Sequence, residues 1–331
     1  PRIDRPEVLS AALDSPRFLL SGNDLGALEV SLERDGAVNR IPELALSAPE
    51  GPVRLTGRVI EEADAEHFRI EVDSLRADLG GERWRLAAPT TMVVGATGFD
   101  TDVVELTSAT GRFRLEGEAD EQGVLDLELD VSDGDLAVLE RIGAVAGIAG
   151  DVEGSLRLTG TAAYPVVDLR FEVDDLVVQD RSVRRAVLEG NSEGRDVVLE
   201  DLQVATDAGD ARAQGSITLP YDDWLARLRD DPASLAEIWS DARLSVAVGS
   251  RALDLARWLD PEAEAGGFGR IDTGMRVSGW TRSPRIEGHV QVTDFPAEPF
   301  ELPSMEAMVL ADSTGLRLSE GRIDLGGPDA R

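Results

Sequence analysis

Residues Gly150–Asp175 (GDVEGSLRLTGTAAYPVVDLRFEVDD) recur as Gly269–Asp294 (GRIDTGMRVSGWTRSPRIEGHVQVTD), at a constant offset of 119 residues and without a gap. Gly150 meets Gly269, Arg157 meets Arg276, Gly160 meets Gly279, Pro165 meets Pro284 and Asp175 meets Asp294. Apolar positions agree between them: Val152 with Ile271, Leu156 with Met275, Leu158 with Val277, Phe171 with Val290 and Val173 with Val292. A supersecondary unit repeated at so long a period restricts the chain to a stacked, repetitive architecture.

The unit reads as strand, connector, strand. Leu156 and Leu158 alternate with Ser155, Arg157 and Thr159, the period of a half-buried strand. Gly160 ends that run and Pro165 opens the next, because glycine admits unusual dihedrals and proline lacks a ladder donor. Alternation resumes through Val167, Leu169, Phe171 and Val173, and Asp174-Asp175 reads as a turn that closes the strand. The second copy runs through Met275 and Val277, then Gly279 to Pro284, then Ile286, Val290 and Val292.

The same alternation continues through most of the chain. Phe68, Ile70 and Val72 predict a strand up to Asp73; Phe113 and Leu115 predict one ending at Gly117. Leu125, Leu127, Leu129 and Val131 predict another, after a polar hairpin link at Glu118–Gly123. Residues 1–50 are the least regular, with a short helix expected in Arg2–Leu13 and a connector at Leu44–Pro49. Helical spacing appears in Asp135–Ile142, in Ala252–Leu259, and in Asp223–Trp239 as two pieces broken at Asp231-Pro232. No composition shift cuts the chain, so residues 1–331 read as one continuous repetitive β-segment.

Composition narrows what such a sheet can do. The net charge is −31, from 64 acidic residues against 33 basic ones, and every basic residue is arginine. That balance disfavours nucleic acid and docking on an anionic bilayer. Cysteine is absent, which excludes disulfides, thiolate metal sites and cysteine nucleophiles. No apolar run approaches the ~20 residues of a spanning helix, and PRIDRPEVLS has no signal-peptide apolar region. The chain reads as an interior piece of something longer. His67 and His289 each fall on the polar side of a strand without a second ligand at metal spacing. Asp174-Asp175 and Asp222-Asp223 fit turns or caps, and no phosphate loop, nucleophile elbow or EF-hand spacing occurs. No catalytic residue, metal ligand or cofactor is therefore assigned, and the chain does not read as an enzyme.

What remains is an amphipathic sheet of great extent, with Arg, Asp, Glu and Thr on one side and aliphatic residues on the other. The apolar side must fold on itself, pack on a second sheet, or line a groove for an apolar ligand. Its candidate lining is Phe113, Leu115, Leu127, Leu129, Leu156 and Leu158, then Leu169, Phe171 and Val173, then Met275, Val277, Ile286, Val290 and Val292. The structural turns are Gly160, Pro165, Gly279 and Pro284.

The segments DLAVLERIG and ALDLARWLD, each leading into a glycine-containing strand, the connectors LTGTAAYP and VSGWTRSP, the opening WRLAAP and the run FELPSMEAMVLADSTGLRLSEG carry a family pattern. On them the chain resembles the TamB-like translocation and assembly proteins, within the AsmA-like group of bridge-like lipid transporters. The resemblance runs from about Trp84 to the end. It departs where Leu169 stands against Gly288 of the second copy, and in the family's N-terminal membrane anchor and C-terminal domain, neither of which has a counterpart in this sequence. It implies an elongated, curled β-sheet, taco-like in section, with antiparallel or mixed pairing and few short helices. It further implies a periplasmic location as part of an inner-membrane-anchored protein, phospholipid acyl chains sliding along the concave side, and an outer-membrane barrel of the TamA type as partner. The alternative is a structural or adhesive β-solenoid of the autotransporter-passenger kind, with a closed core. A lipocalin-like carrier fits the length and repetition less well.

Overall fold

The strands run longer than simple alternation predicts, because β-bulges let the apolar side step by three residues without changing face. The computed structural model describes residues 9–16, 19–20, 23–24, 26–48, 51–61, 67–79, 81–95, 98–120, 122–137, 147–161, 164–178, 181–221, 224, 227, 234–254, 256–257, 269–297 and 300–324. The fold is mainly β, every pairing is antiparallel among the described residues, and the chain divides into two units, residues 1–162 and 163–331.

The first unit contains β1 (Leu9–Ser15), the two-residue strands β2 (Leu19–Leu20) and β3 (Asn23–Asp24), β4 (Ala27–Asp35), β5 (Val38–Ala48), β6 (Gly51–Glu61), β7 (Phe68–Leu79), β8 (Glu82–Leu86), β9 (Thr90–Val94), β10 (Phe99–Thr107), β11 (Arg112–Ala119), β12 (Val124–Asp135) and β13 (Ile148–Thr161). β1 pairs with β4, and β4 to β7 pair in succession. β8 and β9 together bridge β7 and β10, after which β10 to β13 pair in succession. The second unit contains β14 (Pro165–Val178), β15 (Arg181–Glu193), β16 (Asp196–Thr206), β17 (Gly209–Thr218), the helix α1 (Ser234–Ser240), β18 (Arg243–Asp254), β19 (Arg270–Trp280), β20 (Ser283–Ala297), β21 (Phe300–Asp312) and β22 (Gly315–Asp324). Each strand there pairs with the next.

Five expectations are corrected. Leu9–Ser15 is a strand, not the end of a helix, and Leu44–Pro49 is not a connector, since β5 runs through Ala48. The strand begun at Phe68 passes Asp73 to Leu79, and β14 passes Asp174-Asp175 to Val178. Ala252–Leu259 opens as strand, with only Ala256 and Arg257 helical among the described residues. Most of Asp135–Ile142 and of Asp223–Asp231 lies outside the described residues; α1 accounts for the end of the second helical expectation.

Bulges explain two of these errors, at Leu44 and at Asp73. The register shifts between Ile41 and Leu44, so that Ile41 faces Gly57 and Leu44 faces Leu55 on the same side of β6. Val72 and Leu75, Thr101 and Val104, Leu199 and Leu202, and Ser250 and Leu253 follow the same step of three. An extra residue per bulge also adds local twist and bend. The repeat itself extends into these irregularities. Asp133 (φ 51°) and Ala252 (φ 49°) sit at bulges in β12 and β18, and Asp175 (φ 49°) matches Asp294 (φ 54°). Gly160 (φ 88°) and Gly279 (φ 96°) complete the set. All three pairs keep the offset of 119, so the repeat starts well before Gly150. A side chain with positive φ costs on the order of 1 kcal/mol, which only a fixed surrounding holds in place.

Candidate functional site

Directly paired residues in an antiparallel ladder share a face. In the first unit, Phe113 and Leu115 stand opposite Val131 and Leu129, while Leu127 and Leu129 stand opposite Leu158 and Leu156. All six candidate residues of β11 to β13 therefore form one patch. It continues through Val104 and Leu106 of β10, and from β7 through Leu75, Leu55, Leu44 and Val30 to Leu13.

In the second unit, Leu169, Phe171 and Val173 stand opposite Gly190, Leu188 and Ala186. Met275 and Val277 lie between Val248 and Val246 on one side and Gly288 and Ile286 on the other. Val290 and Val292 extend the same face opposite Thr273 and Ile271. The first repeat copy has one strand in each unit (β13 and β14). The second is the β19–β20 hairpin, in which Gly279 pairs with Pro284 and Thr281-Arg282 makes the turn. Pro165, which opens β14, is buried.

These apolar faces are half covered. Among the described residues no large side chain is fully buried, and Phe113, Leu115, Leu188 and Val248 remain 38, 37, 37 and 37% exposed. The inner face of a closed sandwich would be nearly inaccessible, with interdigitated side chains. Packing is tight only locally. In the first unit Trp84 is 5% exposed and meets Phe113 edge to face, with ring centroids 5.9 Å apart. In the second, Ile238 of α1 is buried with Leu219 and Ala242, against Val197, Ile217, Tyr221 and Trp224.

The helical spacing in Asp223–Trp239 pointed to α1 itself, but its role as a cap on the sheet was not foreseen. Thr281 fastens it: its N–H donates to the Ala242 carbonyl at 3.0 Å and its hydroxyl donates to the Trp239 carbonyl. Trp224 Nε1 donates to the Gly194 carbonyl at 3.0 Å. Tyr221 donates its hydroxyl to Glu237, and that hydrogen bond, with the carboxylate charge, raises the phenol pKa. Replacing Ile238 with alanine is expected to destabilise the cap by about 2–4 kcal/mol. Hydrogen exchange should then speed up at α1 while β18–β20 stay protected. Simultaneous loss of both would mean that the cap is integral to the sheet.

The opposite face is ionic. Arg157 pairs with Asp126 at 3.3 Å, Arg185 with Glu172 at 2.6 Å and Arg114 with Glu116 at 2.7 Å. Such exposed pairs contribute about 0–1 kcal/mol each and mainly keep that side wet. His289 is exposed on this face, opposite Gly274, whereas His67 lies half-buried beside Gly95. Among the described residues no group of His, Asp and Glu is placed to hold a metal ion, and no helix is long and apolar enough to cross a membrane. No family model, curated protein or solved structure matches the chain.

Proposed function

We propose that the apolar face carries lipid acyl chains. On this reading the chain is a segment of a bridge-like lipid-transport or outer-membrane assembly protein, working in the periplasm between the inner and outer membranes. Phospholipid is its cargo, and an outer-membrane barrel of the TamA type is its partner through other parts of the parent protein. It acts as a carrier and not as a catalyst.

The observation that supports this is the continuous, half-exposed aliphatic face within each unit, backed by a charged one. Each acyl CH₂ removed from water is worth about 0.8 kcal/mol, so a lipid between two membranes needs such a cover. The face is uniform in chemistry, and a chain on it meets similar aliphatic groups at successive positions, which permits sliding.

Photoreactive residues placed in intact cells test the reading. Leu158 and Val277 are expected to give phospholipid adducts, and Arg157 and Arg276, on the other face, none. Absence of adducts at all four positions in a folded protein would favour the closed structural solenoid.

A further inference from the structure

The two repeat copies differ at one rim, and the difference has a chemistry of its own. In the first copy β11 and β12 are joined by the short turn Asp120–Gly123; in the second, β17 and β18 are joined by the long segment Leu219–Ala242 that contains α1. At the adjoining ladder positions the first copy pairs Val124 with Thr161, and the second pairs Arg243 with Trp280. Ala163 of the first copy becomes Arg282. Insertions in repeat proteins gather on the face that binds.

The second copy thus gains Trp239 and Trp280, 49 and 42% exposed, at neighbouring points tied through Thr281. Arg243 and Arg282 both bring their guanidinium carbons to the Trp280 ring, at 5.3 and 5.7 Å from its centroid. Asp241 engages Nη1 of Arg282 at 3.0 Å and leaves its other donors free. The core needs none of this, since the first copy builds the same ladder from valine and threonine. Exposed indoles flanked by guanidiniums suit one environment well: the interfacial layer of a bilayer, where Trp sits at headgroup depth and Arg meets phosphate bidentately.

We infer that the rim formed by Trp239, Arg243, Trp280 and Arg282 binds the phosphate-bearing headgroup of a bilayer lipid, placing the apolar face beside its source of acyl chains. This rests on the carrier reading above. The net charge of −31 directs the choice to a zwitterionic surface, because an anionic one would repel the rest of the chain.

The test uses the whole chain and a variant, R243V/W280T/R282A, that installs the first copy's residues at positions where this ladder already tolerates them. Flotation is measured with phosphatidylcholine vesicles and with digalactosyldiacylglycerol vesicles, which carry no phosphate. The native chain is expected to bind phosphatidylcholine about tenfold more tightly than the galactolipid, and the variant to lose that preference. R282Q alone, which keeps the indole, should lose part of it. Equal binding to both vesicles, or an unchanged preference in the variant, overturns the inference. So does displacement by millimolar inorganic phosphate at constant ionic strength, which would make the rim a free-anion site. Crosslinking at Leu158 to detergent-dispersed phosphatidylcholine reads the apolar face separately. Adducts that persist in the variant support a rim that acts before loading. If the native chain gives none, the carrier reading fails, and the flotation difference still decides the rim.

Discussion

Valine in place of Gly117 is expected to unfold the first unit. Gly117 lies in β11 between Thr101 and Leu127, on the apolar face. Its φ of 132° is open to glycine and rarely to other residues, and a Cβ there would overlap the Asp126 carbonyl oxygen. The backbones of β11 and β12 approach so closely that only a hydrogen fits between them. Strain at such a φ costs about 1–3 kcal/mol, and relieving the overlap means parting a central ladder. Against a typical total of roughly 5–15 kcal/mol, that removes most of the stability. Gly321 of β22 is the control, because a Cβ there meets nothing within 4 Å. Urea midpoints of the two variants should differ widely, with Gly321→Val close to the parent. Equal midpoints would show that the close approach at Gly117 is not a constraint.

Aspartate in place of Val277 is expected to stop lipid carriage while leaving the fold intact. Val277 is flanked by Val246 and Ile286 in the middle of the second unit's apolar face. It is half-exposed, so the free protein can hydrate a carboxylate there at small cost. An acyl chain lying over it would strip that water, and burying an unpaired charge costs several kcal/mol. Each 1.4 kcal/mol is about tenfold in affinity, so adducts from a probe at Val248 should fall at least tenfold. Arg276→Asp, one residue along on the ionic face, should leave them unchanged. A sealed core would respond in the opposite way, with collapse of stability from Val277→Asp. The pair of readouts therefore separates an open face from a closed one.

The face of each strand was legible in the sequence; where the strands end was not. Leu127, Leu129, Leu156 and Leu158 alternate strictly, and their pairing on one side follows from that period. Leu44–Pro49 reads as a connector, yet Leu44 stands three residues after Ile41 on the same side of β5, a step that a regular strand does not make. The bulge resolves it, but a bulge depends on the partner strand, and a single sequence does not display its partners. Asp175 misled for a related reason. Aspartate is common in turns because it tolerates positive φ, and here that same tolerance serves inside a strand. The cap was hidden differently. Ile238 touches Leu219 and Ala242 only once α1 has folded back, and nothing in the local spacing announces that return.

Pairing between neighbours has a consequence for how such a chain comes into being. In the second unit every described ladder joins strands that follow one another in sequence, so most closures span a short stretch of chain and forfeit little entropy, the β17–β18 pair across Leu219–Ala242 being the longest. A segment leaving a narrow exit finds its template in the strand that left just before it. The sheet can therefore grow by zippering from one edge, and its assembly does not wait for the far end of the polypeptide.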